Sequence, residues 1–116
     1  MAEVIFRNIC TRKKQTGVVV RSAGTYAEVG SDMMPEAKNA LTTNGEKLPK
    51  TRHRAVQFTD AMRNGFDHII CFSGELDNVT EMLIPDPYGW GQDAYNIVCR
   101  KLQTELLSLY KEIFKS

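Results

Sequence analysis

The spacing of apolar residues at the C-terminal end constrains this chain most. Tyr95, Val98, Leu102, Leu106, Leu109 and Ile113 follow one another at intervals of 3, 4, 4, 3 and 4. That period predicts a long amphipathic helix with one face on a core. Ahead of it come two short runs without alternation, Val18–Ala23 and Asp67–Ser73, which read as strands buried on both faces. Val79–Ile84 reads as a third strand. Ahead of all three strands, the first segment AEVIFRNICTRKKQTG reads as a helix with Ala2, Ile5, Phe6 and Ile9 on one face and Gly17 as its stop. PEAKNALTTNG reads as a helix from Pro35 to Gly45, and FTDAMRNG as a short helix capped by Thr59. Helix and strand alternating in this way predict an α/β fold: a parallel sheet in three layers with flanking helices. In 116 residues there is room for one domain, 1–116.

Charge and cysteine content narrow the function. Fifteen Lys and Arg against fourteen Asp and Glu leave a formal charge of +1, which predicts neither nucleic acid nor an anionic membrane as partner. No apolar run is long enough to span a bilayer, and the N-terminus lacks the apolar stretch of a signal peptide. Three cysteines are too few, and odd in number, for a disulfide framework, so a reduced, cytoplasmic protein is expected.

In parallel α/β folds ligands bind beyond the carboxyl ends of the strands. Those ends carry the loops at SAGT, SGE and PDPYG. Asp86 lies between Pro85 and Pro87, so its carboxylate sits on a stiff loop, as a positioned general acid requires. A turn aspartate before proline is the plainer local reading. Cys10, Cys71 and Cys99 lie within predicted helices or an apolar strand and read as small core residues. Two distant histidines and no close cysteine pair predict no metal site, and no cofactor motif is present. His68 reads as structural; His53 stands in the basic patch TRHRAV, whose plainer reading is solvated surface. Trp90, between Gly89 and Gly91, reads equally as a surface contact or as a lid over the core.

Taken in order, MAEVIFRN, VVVRSAGTYAEVG, RHRAVQFTD, FDHIICF and IPDPYG resemble the low-molecular-weight protein tyrosine phosphatase family over essentially all 116 residues. The resemblance implies a four-stranded parallel sheet flanked by helices. It also implies hydrolysis of a phosphoprotein or other phosphate-bearing substrate through a phosphocysteine, with relatives that act on phosphoarginine or reduce arsenate. In the family a loop of the form Cys, five residues, Arg holds the phosphate on backbone N–H groups and lowers the thiol pKa. Asp86 matches the family's general acid, Tyr88 the aromatic that lines the substrate cleft, and Ser22 and His53 the residues that brace the phosphate loop.

The sequence departs from that pattern at its centre. Six positions after Cys10, Cys71 and Cys99 stand Thr16, Asp77 and Glu105, so no cysteine has the required arginine. Met1-Ala2-Glu3 matches the stretch that follows the loop, so the first strand and the loop are expected to be missing and the domain N-terminally truncated. An inactive chain is predicted, with a non-catalytic binding paralogue as the alternative. In the family the missing strand lies between the two matching Val18–Ala23 and Asp67–Ser73. The bared edges predict that these strands close on each other, or that two chains pair edge to edge as a homodimer. Residues 73–85 form a stretch much shorter than the family's, and too short for a normal parallel crossover.

Overall fold

The computed structural model describes residues 1–24, 29–51, 54–72, 74 and 76–114. Three helices carry the core. Helix α3 (Gln92–Ile113) is the expected long helix and buries Tyr95, Val98, Cys99, Leu102, Leu106, Leu109 and Tyr110. Helix α1 (Ala2–Arg12) buries Val4, Ile5, Ile9 and Cys10, and helix α2 (Pro35–Thr43) buries Ala37, Ala40 and Leu41. Both pack on α3. Phe6 and Ala2 lie at the margin of the core, so the face of α1 is turned toward Val4 and Cys10 relative to the expectation.

The two shorter helices end in the same way, on different residues. After α2 the N–H of Glu46 donates to Leu41 O and that of Gly45 to Thr42 O, with Gly45 at φ 81°, as its sequence predicts. After α1 the N–H of Gln15 donates to Cys10 O and that of Lys14 to Thr11 O. Here Lys14, at φ 55°, takes the left-handed position. Helix α1 therefore stops well before Gly17, the expected stop. A lysine there costs about 1 kcal/mol relative to glycine.

A buried polar junction ties the helices together. Glu46, only 8% exposed, lies just beyond α2. Its Oε1 accepts from Asn8 Nδ2 at 3.0 Å and its Oε2 from Gln103 Nε2 at 2.6 Å. Gln103 Nε2 also reaches Asn44 O at 3.0 Å, and Arg12 Nη1 stands 3.8 Å from Glu46 Oε1. At the far end of α3, Tyr110 Oη donates to Gln15 Oε1 at 3.1 Å.

The sheet is smaller than expected. Strand β1 (Ile70–Cys71) pairs in parallel with β2 (Thr80–Glu81), with Ile70 opposite Thr80 and Cys71 opposite Glu81. The N–H groups of Met82 and Ile84 donate to Cys71 O and Phe72 O, which carries the pairing past the strands themselves. The short link therefore does make a parallel pair, contrary to the sequence expectation. A full crossover serves long strands, whereas two paired residues need only a doubled bend. Left-handed Gly74 (φ 71°) and Asn78 (φ 60°) supply it. The left-handed φ at Gly74 favours glycine there; the nearest atom to an added Cβ is Glu81 Oε1, the end of an exposed side chain that can move aside.

Val18–Ala23 corrects a second expectation. The segment carries no strand ladder, and Val19 is 65% exposed where burial on both faces was predicted. Among the described residues it does not pair with β1. Val20 O is met instead by side chains, Arg7 Nη2 at 2.7 Å and Arg21 Nη1 at 3.0 Å. Only its end is fixed by backbone: Gly24 forms a parallel bridge with Gln57, its N–H donating to Val56 O and its carbonyl accepting from Phe58 N–H. The expected short helix is a 3-10 turn, Asp60–Asn64. Thr59 stands at its N-cap without a side-chain capping bond. No described helix is long and apolar enough to cross a membrane.

Candidate functional site

The loop from Pro85 to Gly91 joins β2 to α3. Its conformation follows from its residues. Pro85 and Pro87 fix two φ angles. Asp86 Oδ1 accepts the N–H of Tyr88 at 3.0 Å, and Trp90 N–H donates to Pro87 O at 3.0 Å, closing a four-residue turn. Asp86 thus stands on a rigid, exposed turn.

A cavity of about 290 Å³ lies beside it. Its walls come from Met1–Glu3 at the start of α1, from Ser22, from Phe72 and Ile84 of the sheet, and from Tyr95, Val98 and Leu102 of α3. Asp86 and Ser22 both face it, so the fold brings together two of the residues singled out from the sequence. Ser22 Oγ donates to Glu3 Oε1 at 3.2 Å, and Arg7 Nη2 stands 3.6 Å from Glu3 Oε2, so Ser22 is bound to the first turn of α1. Ser22 lies on one wall of this cavity and Phe72, next to β1, on another. Tyr88 is 65% exposed and does not line this cavity. His53 lies outside the described residues. The larger hollow, about 470 Å³ between α1 and α3, holds Arg12, Glu46 and Gln103 and none of the predicted site residues.

The electrostatics at the cavity are acidic. Burial pushes the Tyr95 phenol up, and the charges of Asp86 and Glu36 push it the same way. Oε2 of Glu36 is buried without a hydrogen-bond partner among the described residues. Burial pushes the Met1 amine down, with Cys99 and Glu3 pulling it the other way. The described residues bring together no cluster of His, Cys, Asp and Glu able to hold a metal ion.

All three cysteines are buried. Burial pushes the thiols of Cys10 and Cys99 above their ordinary 9.0, and the Glu46 charge adds to the rise at Cys99. This is the opposite of what a nucleophilic cysteine needs. A pH dependence follows. The unfolded chain ionises these thiols, and Tyr95, at lower pH than the native state does. Their contribution to stability is therefore complete below about pH 9 and is lost as pH rises further. The urea midpoint is expected to be lower at pH 10.5 than at pH 8. Cys10 and Cys99 are expected to resist a thiol reagent at pH 8 until urea unfolds the chain. Rapid labelling of both in the native state would contradict the burial argument.

Known proteins of similar sequence and shape bear on this site. The sequence profile described as low molecular weight phosphotyrosine protein phosphatase matches residues 1–82. No protein of curated function matches. Among solved structures, a YwlE mutant from Bacillus subtilis superposes with a TM-score of 0.81 at 23% identity, over 97% of this chain and 87% of its own. The tyrosine phosphatase Wzb from Escherichia coli K30, solved with sulphate, gives 0.81 at 20% identity, over 97% and 87%. The YwlE arginine phosphatase from Geobacillus stearothermophilus gives 0.75 at 22% identity, over 97% and 82%. At these identities the structural matches speak for the fold: an α/β architecture of this type, of which the described residues form a two-stranded parallel sheet and three helices.

Proposed function

Because the chain belongs to the low molecular weight phosphotyrosine protein phosphatase family, we infer that its architecture serves phosphomonoester hydrolysis through a phosphocysteine. Asp86 is the general acid, Tyr88 borders the substrate, and Ser22 and His53 support a phosphate-holding loop. The observation that carries this reading is the shared cavity, on which Asp86 and Ser22 open beside the first turn of α1.

In such a reaction a thiolate attacks phosphorus, and the bond to the leaving atom, oxygen in a phosphotyrosine or nitrogen in a phosphoarginine, breaks as Asp86 delivers its proton there. Asp86 then takes a proton from water as that water attacks phosphorus and the phosphorus–sulfur bond breaks. Relatives of this fold include an arginine phosphatase and a tyrosine phosphatase. The substrate class is accordingly a phosphorylated tyrosine or arginine side chain.

The thiolate is what residues 1–116 do not supply. None of the three cysteines is followed six positions on by arginine. All three are buried. These residues alone are therefore inactive, and para-nitrophenyl phosphate is expected to turn over no faster with them than in an enzyme-free blank. Turnover that disappears in Asp86→Asn would overturn this. The same chain extended at its N-terminus by a relative's strand and Cys-x5-Arg loop is expected to hydrolyse the ester, with kcat about a hundredfold lower in Asp86→Asn. A folded, extended chain indifferent to that substitution would remove Asp86 from the role of acid.

The second reading is a non-catalytic binding protein, favoured by buried thiols and exposed aromatic residues. The absence of a strand ladder along Val18–Ala23 among the described residues leaves edge-to-edge pairing of two copies open to test within either reading. Sedimentation at twice 13.1 kDa is the expected result, and sedimentation at 13.1 kDa would exclude it.

A further inference from the structure

Charge is distributed unevenly along this nearly neutral chain. From residue 64 to residue 99 there is no lysine or arginine, while six of the fourteen acidic residues lie there. That stretch contains β1, β2, the Pro85–Gly91 turn and the first two turns of α3. The chain as a whole carries +1, so the rest of it is basic and this tract is its acidic part.

The turn within the tract displays two aromatic rings. Tyr88 is 65% and Trp90 78% exposed. Trp90 is the most exposed of the large apolar side chains described, so of the two readings the sequence left open, a surface contact holds and a lid over the core does not. The display is held in place. The four-residue turn closed on Pro87 O fixes the backbone, and Gly89 (φ 81°) and Gly91 (φ 87°) take the left-handed conformations that flank Trp90. Asp86 and Asp93 stand on either side of Trp90 in the sequence, both exposed, and neither has a cationic partner among the described residues. The chain uses a ring and guanidinium contact elsewhere: Arg63 Cζ lies 5.8 Å from the centroid of Phe58.

We propose that the Pro85–Gly91 turn, with the exposed carboxylates of Asp86 and Asp93 beside it in the chain, forms a docking surface for an arginine-containing basic segment of a partner protein. The guanidinium plane stacks on Trp90, and the carboxylates of Asp86 and Asp93 supply the opposing charge. A rigid, exposed ring favours a planar cation over a compact one, because the guanidinium can lie flat on it while an ammonium cannot. The two carboxylates attract a basic segment toward the turn and disfavour an acidic one. The surface needs no thiol and no phosphate, so it goes beyond the hydrolytic reading and does not depend on it.

The test uses the 116-residue chain and an unphosphorylated peptide of alternating glycine and arginine with a fluorescent label. Trp90 is the only tryptophan, so its emission reports directly on the turn. A saturable change in Trp90 emission is expected, with affinity that falls as salt is added. By anisotropy of the labelled peptide, Trp90→Ala and Asp93→Asn are each expected to weaken binding about three- to fivefold, and a lysine peptide to bind weaker than the arginine peptide. Both side chains are exposed, so circular dichroism should report unchanged folding in the variants. The proposal is overturned by the absence of binding, by equal binding of a glycine–serine peptide, or by undiminished affinity in Trp90→Ala. It is likewise overturned if Trp90 emission shifts with protein concentration alone, which would assign the surface to a second copy. Since the peptide carries no phosphate, none of these results bears on the role of Asp86 as an acid.

Discussion

Replacing Glu46 with alanine is expected to lower stability by about 3 kcal/mol, and Tm by about 12 °C. The residue reads from the sequence as one more charge in a polar stretch, yet it is buried and accepts from Asn8 and Gln103 across two helices. Alanine would take one acceptor from each amide group, leaving Asn8 Nδ2 on Lys47 O and Gln103 Nε2 on Asn44 O, and would open a void where the buried carboxylate stood. Glutamine would keep an acceptor for one of them and oppose NH₂ to NH₂ at the other, so Glu46→Gln should cost about half as much. Arg12 is more than half exposed, and its 3.8 Å contact with Glu46 is a loose one. Arg12→Ala should therefore cost under about 1 kcal/mol. Urea melts of the three variants test the ordering. A loss in Arg12→Ala as large as in Glu46→Ala would mean that the ion pair, and not the amide bonds, holds the junction.

Ile5→Ala is expected to cost about 3 kcal/mol by the loss of a fully buried side chain between α1 and α3. Its effect should reach the candidate site. Helix α1 contributes the Met1–Glu3 wall of the cavity on which Asp86 opens, and Ser22 is bound to that wall through Glu3. Loosening α1 is expected to raise hydrogen exchange at its first turn. Ile5 also borders the hollow that holds Glu46. The double variant with Glu46→Ala should thus lose less than the sum of the two single losses. Strict additivity would show the two contacts to be independent.

Where the sequence was legible, the physics was local. The period of Tyr95 through Leu109 needs only one apolar neighbour, and any core on that side satisfies it. Pro35 and Gly45 mark α2 because the start and stop of a helix are set by the conformations those residues prefer. Asp86 between two prolines marks a stiff loop for the same reason. What could not be read depends on what lies across space. Three consecutive valines look buried whatever flanks them, but burial requires covering layers, and Val19 has none. The stop of α1 falls on Lys14, whose unfavourable conformation is imposed by the hydrogen bonds of Gln15 and by no preference of lysine. Glu46 gave no sign of burial, because its partners lie 38 and 57 residues away. The cavity that unites Ser22 with Asp86 lies where the parallel α/β reading put the SAGT and PDPYG loops, at the carboxyl ends of the strands, while the roles of the two residues came from the resemblance.

The two ends of the Pro85–Gly91 turn are anchored very unequally. One end leaves a short parallel pairing whose last bond, from Ile84 N–H to Phe72 O, is 3.3 Å long, and the other runs straight into twenty-two residues of continuous helix. A short ladder opens at little free-energy cost, whereas α3 opens only when the molecule does. Amide exchange is accordingly expected to be faster at Met82 and Ile84 than in the middle of α3, so the approach to Asp86 loosens before its far anchor does.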